Sequence, residues 1–209
     1  MRKNIGIELA KEIKIDADIV VPVPDSGVPA AIGYAAQSKI PFELGIIRNH
    51  YVGRTFIEPT DKIRHFGVKL KHNANIEIVK GKRVILVDDS LVRGTTSKKI
   101  VQMMRDAGAK EVYMLIACPP TIAPCFYGVD TPDKKDLIAA NNTIDEIAKI
   151  IGVEKLAYIS LDGLYKAIEG SKRDEENPQY CDACFTDKYP IRLSDKEGGE
   201  APLFDFMKG

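Results

Sequence analysis

The sequence predicts an α/β fold in which helices cover both faces of a mostly parallel sheet and an irregular C-terminal tail follows. Three observations predict it. Strand-like and helix-like patterns alternate along residues 1–170. The stretch "DADIVVPVP" reads as a buried strand and "RVILVDD" as a β-branched-rich one. Across 209 residues, 44% are hydrophobic and 29% charged, the balance of one globular domain rather than of a disordered chain.

Taken in order, Arg2 to Lys14 sets Ile5, Leu9 and Ile13 at helical spacing. "DADIVVPVP" is a strand ending at Pro22 or Pro24, and "VPAAIGYAAQS" an Ala-rich helix with Asp25 or Ser26 as expected N-cap. "FELGIIR" is a second strand. The polar stretch 49–73, "NHYVGRTFIEPTDKIRHFGVKLKHN", lacks sustained periodicity and is long for a plain connection, and long loops in compact domains often carry function. "RVILVDD" is a strand, and "TTSKKIVQMMRDAG" a helix closed by Gly108. "EVYMLIACPP" and "KLAYISL" are strands; "TIDEIAKIIG" and "DGLYKAIEG" are helices. The organisation is a domain at 1–170 and a charged, cysteine-bearing tail at 171–209.

Charge and hydropathy exclude several classes. Lys+Arg and Asp+Glu both number 30, so no global basic field exists to hold nucleic acid. No apolar run reaches the length of a membrane span. The start, "MRKNIGIELAKEIK", has neither an apolar signal core nor a cleavage site, so a cytoplasmic setting is expected. The four cysteines are then expected as thiols or metal ligands rather than disulfides.

The chemistry concentrates in "VILVDDSLVRGTTSKKIV", Val84 to Val101. In parallel α/β sheets ligands sit beyond the C-terminal ends of the strands, where Asp88 and Asp89 fall. The chain then enters a helix whose unpaired N–H groups and positive dipole end favour an anion. Gly94 permits close backbone approach, and Thr95, Thr96 and Ser97 add hydroxyl donors. The carboxylates suit sugar hydroxyls or Mg²⁺. A sugar phosphate fits both halves. The P-loop pattern G-x-x-x-x-G-K-[ST] is absent. Two adjacent acids can also simply cap a turn; the joint occurrence of strand, acids and hydroxyl-rich helix start favours the ligand site.

"VILVDDSLVRGTTS" resembles the phosphoribosyl pyrophosphate (PRPP) binding motif of type I phosphoribosyltransferases. "VPVPDSGVPAAIGYA", "IIRNHYVGRTFIEP" and "CPPTIAPCFYGVDTP" narrow the resemblance to the C-terminal domain of the glutamine PRPP amidotransferase (amidophosphoribosyltransferase) family, over residues 2–192. It implies the type I phosphoribosyltransferase fold and, as the reaction, displacement of pyrophosphate from C1 of PRPP by ammonia, giving 5-phosphoribosylamine at the first committed step of purine biosynthesis. It assigns Asp88 and Asp89 to the ribose hydroxyls and Mg²⁺, with Ser26 as a further Mg²⁺-site residue. Arg93, Gly94, Thr95, Thr96 and Ser97 would cradle the 5-phosphate. Pro24, Asp25, Ser26 and Gly27 resemble the pyrophosphate loop. Tyr51 to Pro59 and the residues after it would form a loop closing over PRPP, excluding water and bringing Arg54, and more weakly Lys69, to the leaving group. Tyr51 and Arg54 join the two acids as the expected catalytic residues. "PDSG" alone is also an ordinary turn, and Tyr51 and Phe56 alone are also packing aromatics. His50, His65 and His72 are expected at the surface. Purine nucleotides as feedback inhibitors and a homo-oligomer are further implications.

"CDAC" has metal-ligand spacing. By resemblance, Cys125, Cys181 and Cys184 are ligands of a [4Fe–4S] cluster whose fourth ligand lies ahead of residue 1. The cluster is therefore expected to be incomplete, with four-cysteine zinc as the alternative; Cys118 is expected as a buried inert thiol. The family's glutaminase nucleophile is an N-terminal cysteine. Here Met1 precedes Arg2 and no cysteine comes before Cys118, so the N-terminal glutaminase domain is expected to be absent. The chain should then use free ammonia or a separate glutaminase chain. Competing readings are an inactive PRPP- or nucleotide-binding module and a base-salvage phosphoribosyltransferase. The long 49–73 stretch speaks for an enzyme, and "NHYVGRTF" against salvage.

Overall fold

The computed structural model describes residues 1–48 and 72–191. In chain order the elements are α1 (Arg2–Glu12), β1 (Ile19–Pro22), α2 (Val28–Ser38), β2 (Ile46–Arg48), β3 (His72–Ala74), α3 (Ile76–Val79), β4 (Arg83–Asp88), α4 (Thr95–Asp106), β5 (Glu111–Ile116), α5 (Ile138–Asn141), α6 (Ile144–Ile151), β6 (Lys155–Tyr158), α7 (Leu161–Glu169) and α8 (Ala183–Thr186). Four strands form a parallel sheet in the order β1-β4-β5-β6.

Alternation along the central strand β4 explains the layers. Val84 and Leu86 point into a cluster with Ile100, Val101, Met104, Ile147 and Ile151, so α4 and α6 cover that face. Ile85 and Val87 point the other way, against Leu9, Ala31 and Tyr34 of α1 and α2. All four strand residues are 0% exposed, and burying each contributes about 1.5–3 kcal/mol against the ordering entropy. The α1–α2 crossing is tight because both partners are glycines there. A Cβ on Gly6 would stand 1.9 Å from the Ala30 carbonyl oxygen, and one on Gly33 2.0 Å from that of Lys3.

The sequence places the main-sheet elements correctly, and three expectations need correction. Asp25 and Ser26 do not cap α2. Its N-cap is Gly27, with no side-chain cap, because the turn folds back on β4 and the Asp25 carboxylate is held by Arg48. "FELGIIR" contributes no strand to the main sheet. Ile46–Arg48 instead pairs antiparallel with His72–Ala74 in a separate two-stranded sheet, and only Phe42 bridges to Val20. His72 is not a surface residue: pairing with β2 leaves it 7% exposed. His50 and His65 lie outside the described residues.

An ion cluster fixes β4 at its N-terminal end. The Arg83 N–H donates to Asp18 at 2.8 Å, and its guanidinium reaches Asp18 at 2.9 Å and Asp16 at 2.6 Å. The Arg83 side chain is the largest cause holding the Asp18 carboxyl down, at about 2 against an ordinary 3.8. Between those values the native chain binds fewer protons than the unfolded one, so Asp18 adds stability above 3.8 that is lost as pH falls toward 2. Asp18→Asn is therefore expected to flatten the acid limb of a thermal-melt profile. An unchanged limb would remove this pair from the account.

The tail docks through groups that polarity alone argues against. Asp182, 6% exposed, accepts from Arg173 Nε at 2.5 Å and from the Tyr165 hydroxyl of α7 at 3.0 Å. The Cys184 carbonyl then accepts from the N–H groups of Ile122 and Ala123 at 2.9 and 3.1 Å, and the Tyr189 hydroxyl donates to the Pro124 carbonyl at 2.7 Å. Polar flanks around "CDAC" suggest a segment that packs weakly without metal; the structure instead anchors it by a buried ion pair. Removing one partner of such a pair leaves an uncompensated buried charge, a loss of about 3–5 kcal/mol of local docking. Arg173→Leu is expected to expose residues 171–191 to limited proteolysis while residues 2–169 survive. A tail as resistant as in the unaltered chain would show that the Cys184 and Tyr189 hydrogen bonds suffice.

Candidate active site

Of the expected site residues, the Pro24–Gly27 turn follows β1, and Asp88, Asp89 and the segment Arg93–Ser97 follow the end of β4. The two strands pair in parallel, Pro22 beside Val87, and the Val23 N–H donates to the Val87 carbonyl at 2.9 Å. This seats the Pro24–Gly27 turn directly beside Asp88. Gly27 is required by space: a Cβ there would stand 2.3 Å from the Val87 carbonyl oxygen and 2.8 Å from that of Val23.

Asp88 ends β4, and its carbonyl accepts from the Ala117 N–H at 2.8 Å, tying the acid to the chain leaving β5. Its carboxylate is 8% exposed and accepts from the Asp89 N–H at 2.8 Å. Burial first, and the charge of Asp89 second, push the Asp88 carboxyl up to about 8. Asp89 is exposed, with Ser90 donating to it at 3.2 Å. An acid raised by burial and then by a neighbouring acid at a strand end marks a candidate functional carboxylate pair. A divalent cation or a polyol donor beside the pair would return Asp88 to its ionised form.

The segment then turns into α4. Gly94 is its N-cap at φ 76°, the left-handed region that glycine enters without strain, and no side chain caps the helix. The first-turn N–H groups of Thr95, Thr96 and Ser97 therefore point away from the helix body with the positive dipole end behind them. Ser97 is 5% exposed, Thr95 exposed and Arg93 exposed at the rim. Tyr51, Arg54, Lys69 and the stretch around them lie outside the described residues. Sequence reasoning missed Arg48, whose guanidinium forms an ion pair with Asp25; two residues that far apart give no local signal.

The oxygen donors of Ser26, Asp88 and Asp89 fit Mg²⁺ chemically, with substrate oxygens and water completing a hard-oxygen shell. Cys184 is raised by burial first and by Cys125 and Cys181 after it, so the three thiols are neighbours. Yet among the described residues no group of three or more His, Cys, Asp or Glu side chains is arranged to hold a metal ion. Cys118, beyond the end of β5, is pushed up to about 12 by burial, with Asp89 next in effect, which agrees with an inert thiol.

Acids at the end of a parallel strand thus run directly into a helix start that no side chain caps. The model of the phosphoribosyl transferase domain family matches residues 2–154, and the chain belongs to that family. Within it, the chain is 60% identical over 198 residues to an amidophosphoribosyltransferase of Rhizobium etli, covering 94% of this chain and 40% of the relative. It is 52% identical over 198 residues to that of Archaeoglobus fulgidus, covering 94% and 42%. The glutamine PRPP amidotransferase from B. subtilis, solved with ADP and GMP, superposes with a TM-score of 0.82 at 50% identity, covering 93% of this chain and 43% of that one. The chain thus spans about 40% of the length of the curated relatives it matches. The mostly parallel sheet with helices on both faces is shared with these structures.

Proposed function

We propose that the chain binds PRPP with Mg²⁺ at the ends of β1 and β4 and transfers the phosphoribosyl group to ammonia, releasing pyrophosphate and giving 5-phosphoribosylamine for purine biosynthesis. The observation that carries the reading is the buried Asp88, beside Asp89, running directly into the uncapped, hydroxyl-rich start of α4. In this reading Thr95, Thr96, Ser97 and Gly94, with Arg93 at the rim, hold the 5-phosphate. Asp88 and Asp89 accept from the ribose hydroxyls and, with Ser26, hold Mg²⁺. The N–H groups of the Pro24–Gly27 turn face the pyrophosphate. Mg²⁺ supplies charge neutralisation for the departing pyrophosphate when bound. C1 becomes oxocarbenium-like as the bond to pyrophosphate breaks, and ammonia then supplies the electron pair of the new C–N bond. Positioning and charge stabilisation by these residues supply the catalysis. Tyr51 and Arg54 are proposed to close over the substrate.

Free ammonia is proposed as the nitrogen donor for this domain, and Cys118, a thiol pushed up to about 12 by burial, is given no part in glutamine hydrolysis. A separate glutaminase chain, homo-oligomer formation, inhibition by purine nucleotides and a cytoplasmic setting belong to the same proposal. A nucleotide complex of the B. subtilis protein supports the third. No helix among the described residues is long and apolar enough to cross a membrane. The test is pyrophosphate release from PRPP with ammonium chloride, with glutamine and with each purine base. Release with ammonium alone is expected. Turnover with a base would move the chain to salvage, and no turnover with any acceptor would leave a binding module.

A further inference from the structure

We infer that Arg48 is a positioning residue for the leaving-group side of the site, holding the Asp25 carboxylate so that a negative charge in the Pro24–Gly27 turn does not oppose pyrophosphate. The inference rests on the reading proposed above. The turn's backbone is fixed without the Asp25 side chain: Gly27 lies against Val87, its N–H donates to the Val23 carbonyl at 3.0 Å, and the Val28 N–H donates to the Asp25 carbonyl at 3.3 Å. The Asp25 side chain does not cap α2 and is 54% exposed. Its carboxylate is therefore not needed to build the turn, yet it sits where a multiply charged anion is to bind. Arg48, the last residue of β2, reaches across from the small sheet and pairs with it through Nη1. The side chain is 28% exposed, and Nε is buried with no hydrogen-bond partner among the described residues. An arginine spending a buried donor to meet one carboxylate points to a charge-cancelling role at the ligand. An exposed ion pair adds little to stability itself. Cancelling a like charge beside an anion acts directly on binding.

The test is titration of magnesium pyrophosphate into the chain by calorimetry, with PRPP kinetics alongside. Arg48→Met is expected to weaken pyrophosphate binding by about tenfold and to raise KM for PRPP more than it lowers kcat. The loss should shrink as salt is raised, because an unscreened carboxylate causes it. Arg48→Lys should keep most of the binding. Adding Asp25→Asn to Arg48→Met should recover it, since the repelling charge is gone. Wild-type affinity in Arg48→Met, or a double variant as weak as Arg48→Met, overturns the inference. Should Arg48→Met melt below the assay temperature, the double variant decides alone, and loss of pyrophosphate binding in it overturns the inference. A chain that binds neither PRPP nor pyrophosphate before any substitution overturns the functional reading along with it.

Discussion

Asp88→Asn and Asp89→Asn are each expected to lower kcat/KM for PRPP by about tenfold or more, since a lost charge-assisted hydrogen bond costs about 1.5–3 kcal/mol. The two should differ in stability. Asp88 is 8% exposed and raised to about 8 by burial and by Asp89, so the apo chain holds a carboxyl that resists ionising. Replacing it with a neutral amide of the same shape relieves that strain, and Asp88→Asn should melt at or above the unaltered chain even as PRPP use collapses. Asp89 is exposed, and its replacement should leave the melt unchanged. Kinetics and melts of both variants check this. Unaltered kinetics in both would return the acids to a turn-capping role.

Gly27→Val should be the most damaging single change near the site. Already a Cβ would press on two backbone carbonyls, Val87 at 2.3 Å and Val23 at 2.8 Å, and neither can swing aside as a side chain would. Overpacking of this kind typically costs about 1–3 kcal/mol, and branching at Cβ adds to it. The turn must move off β4, which separates the Pro24–Gly27 N–H groups from Asp88. The expected result is a lowered melting temperature together with a fall in kcat/KM for PRPP of about a hundredfold, larger than the stability loss alone explains. Gly81 supplies the contrast: a Cβ there meets nothing within 4 Å, although its φ of 74° still disfavours a side chain. Gly27 itself sits at φ −73°, a conformation open to any residue, so an effect at Gly27 no larger than at Gly81 would remove the close approach to β4 from the account.

How much of this was legible in the sequence depended on how local each signal was. Strand, acid pair, Gly94 and hydroxyl-rich helix start are contiguous, and each constrains the next through backbone geometry alone. The capping box of α6, Thr143 with Glu146, and the glycine at its end, Gly152, are equally local. The pairing of Ile46–Arg48 with His72–Ala74 was not legible, because the partner strand is three residues long and begins inside the far end of the aperiodic 49–73 stretch. The inward turn of His72 follows from that pairing and was lost with it. Arg48 with Asp25, and Arg173 with Asp182 and Tyr165, are meetings of polar residues that lie in separate segments of the sequence. A charged residue shows its partner only in three dimensions. Cys118 was legible as a buried thiol from its position after a core strand, whereas its nearness to the acids and the arrangement of Cys125, Cys181 and Cys184 could not be read from spacing.

The central claim is that the ends of β1 and β4 form a PRPP site, and the direct measurement is calorimetric titration of PRPP into the apo chain with Mg²⁺ present. One PRPP bound per chain is predicted, with the binding lost in the Asp88→Asn, Asp89→Asn double variant while its thermal melt stays cooperative. A chain that takes up no PRPP, or a folded double variant that binds it as tightly as the unaltered chain, would contradict the account.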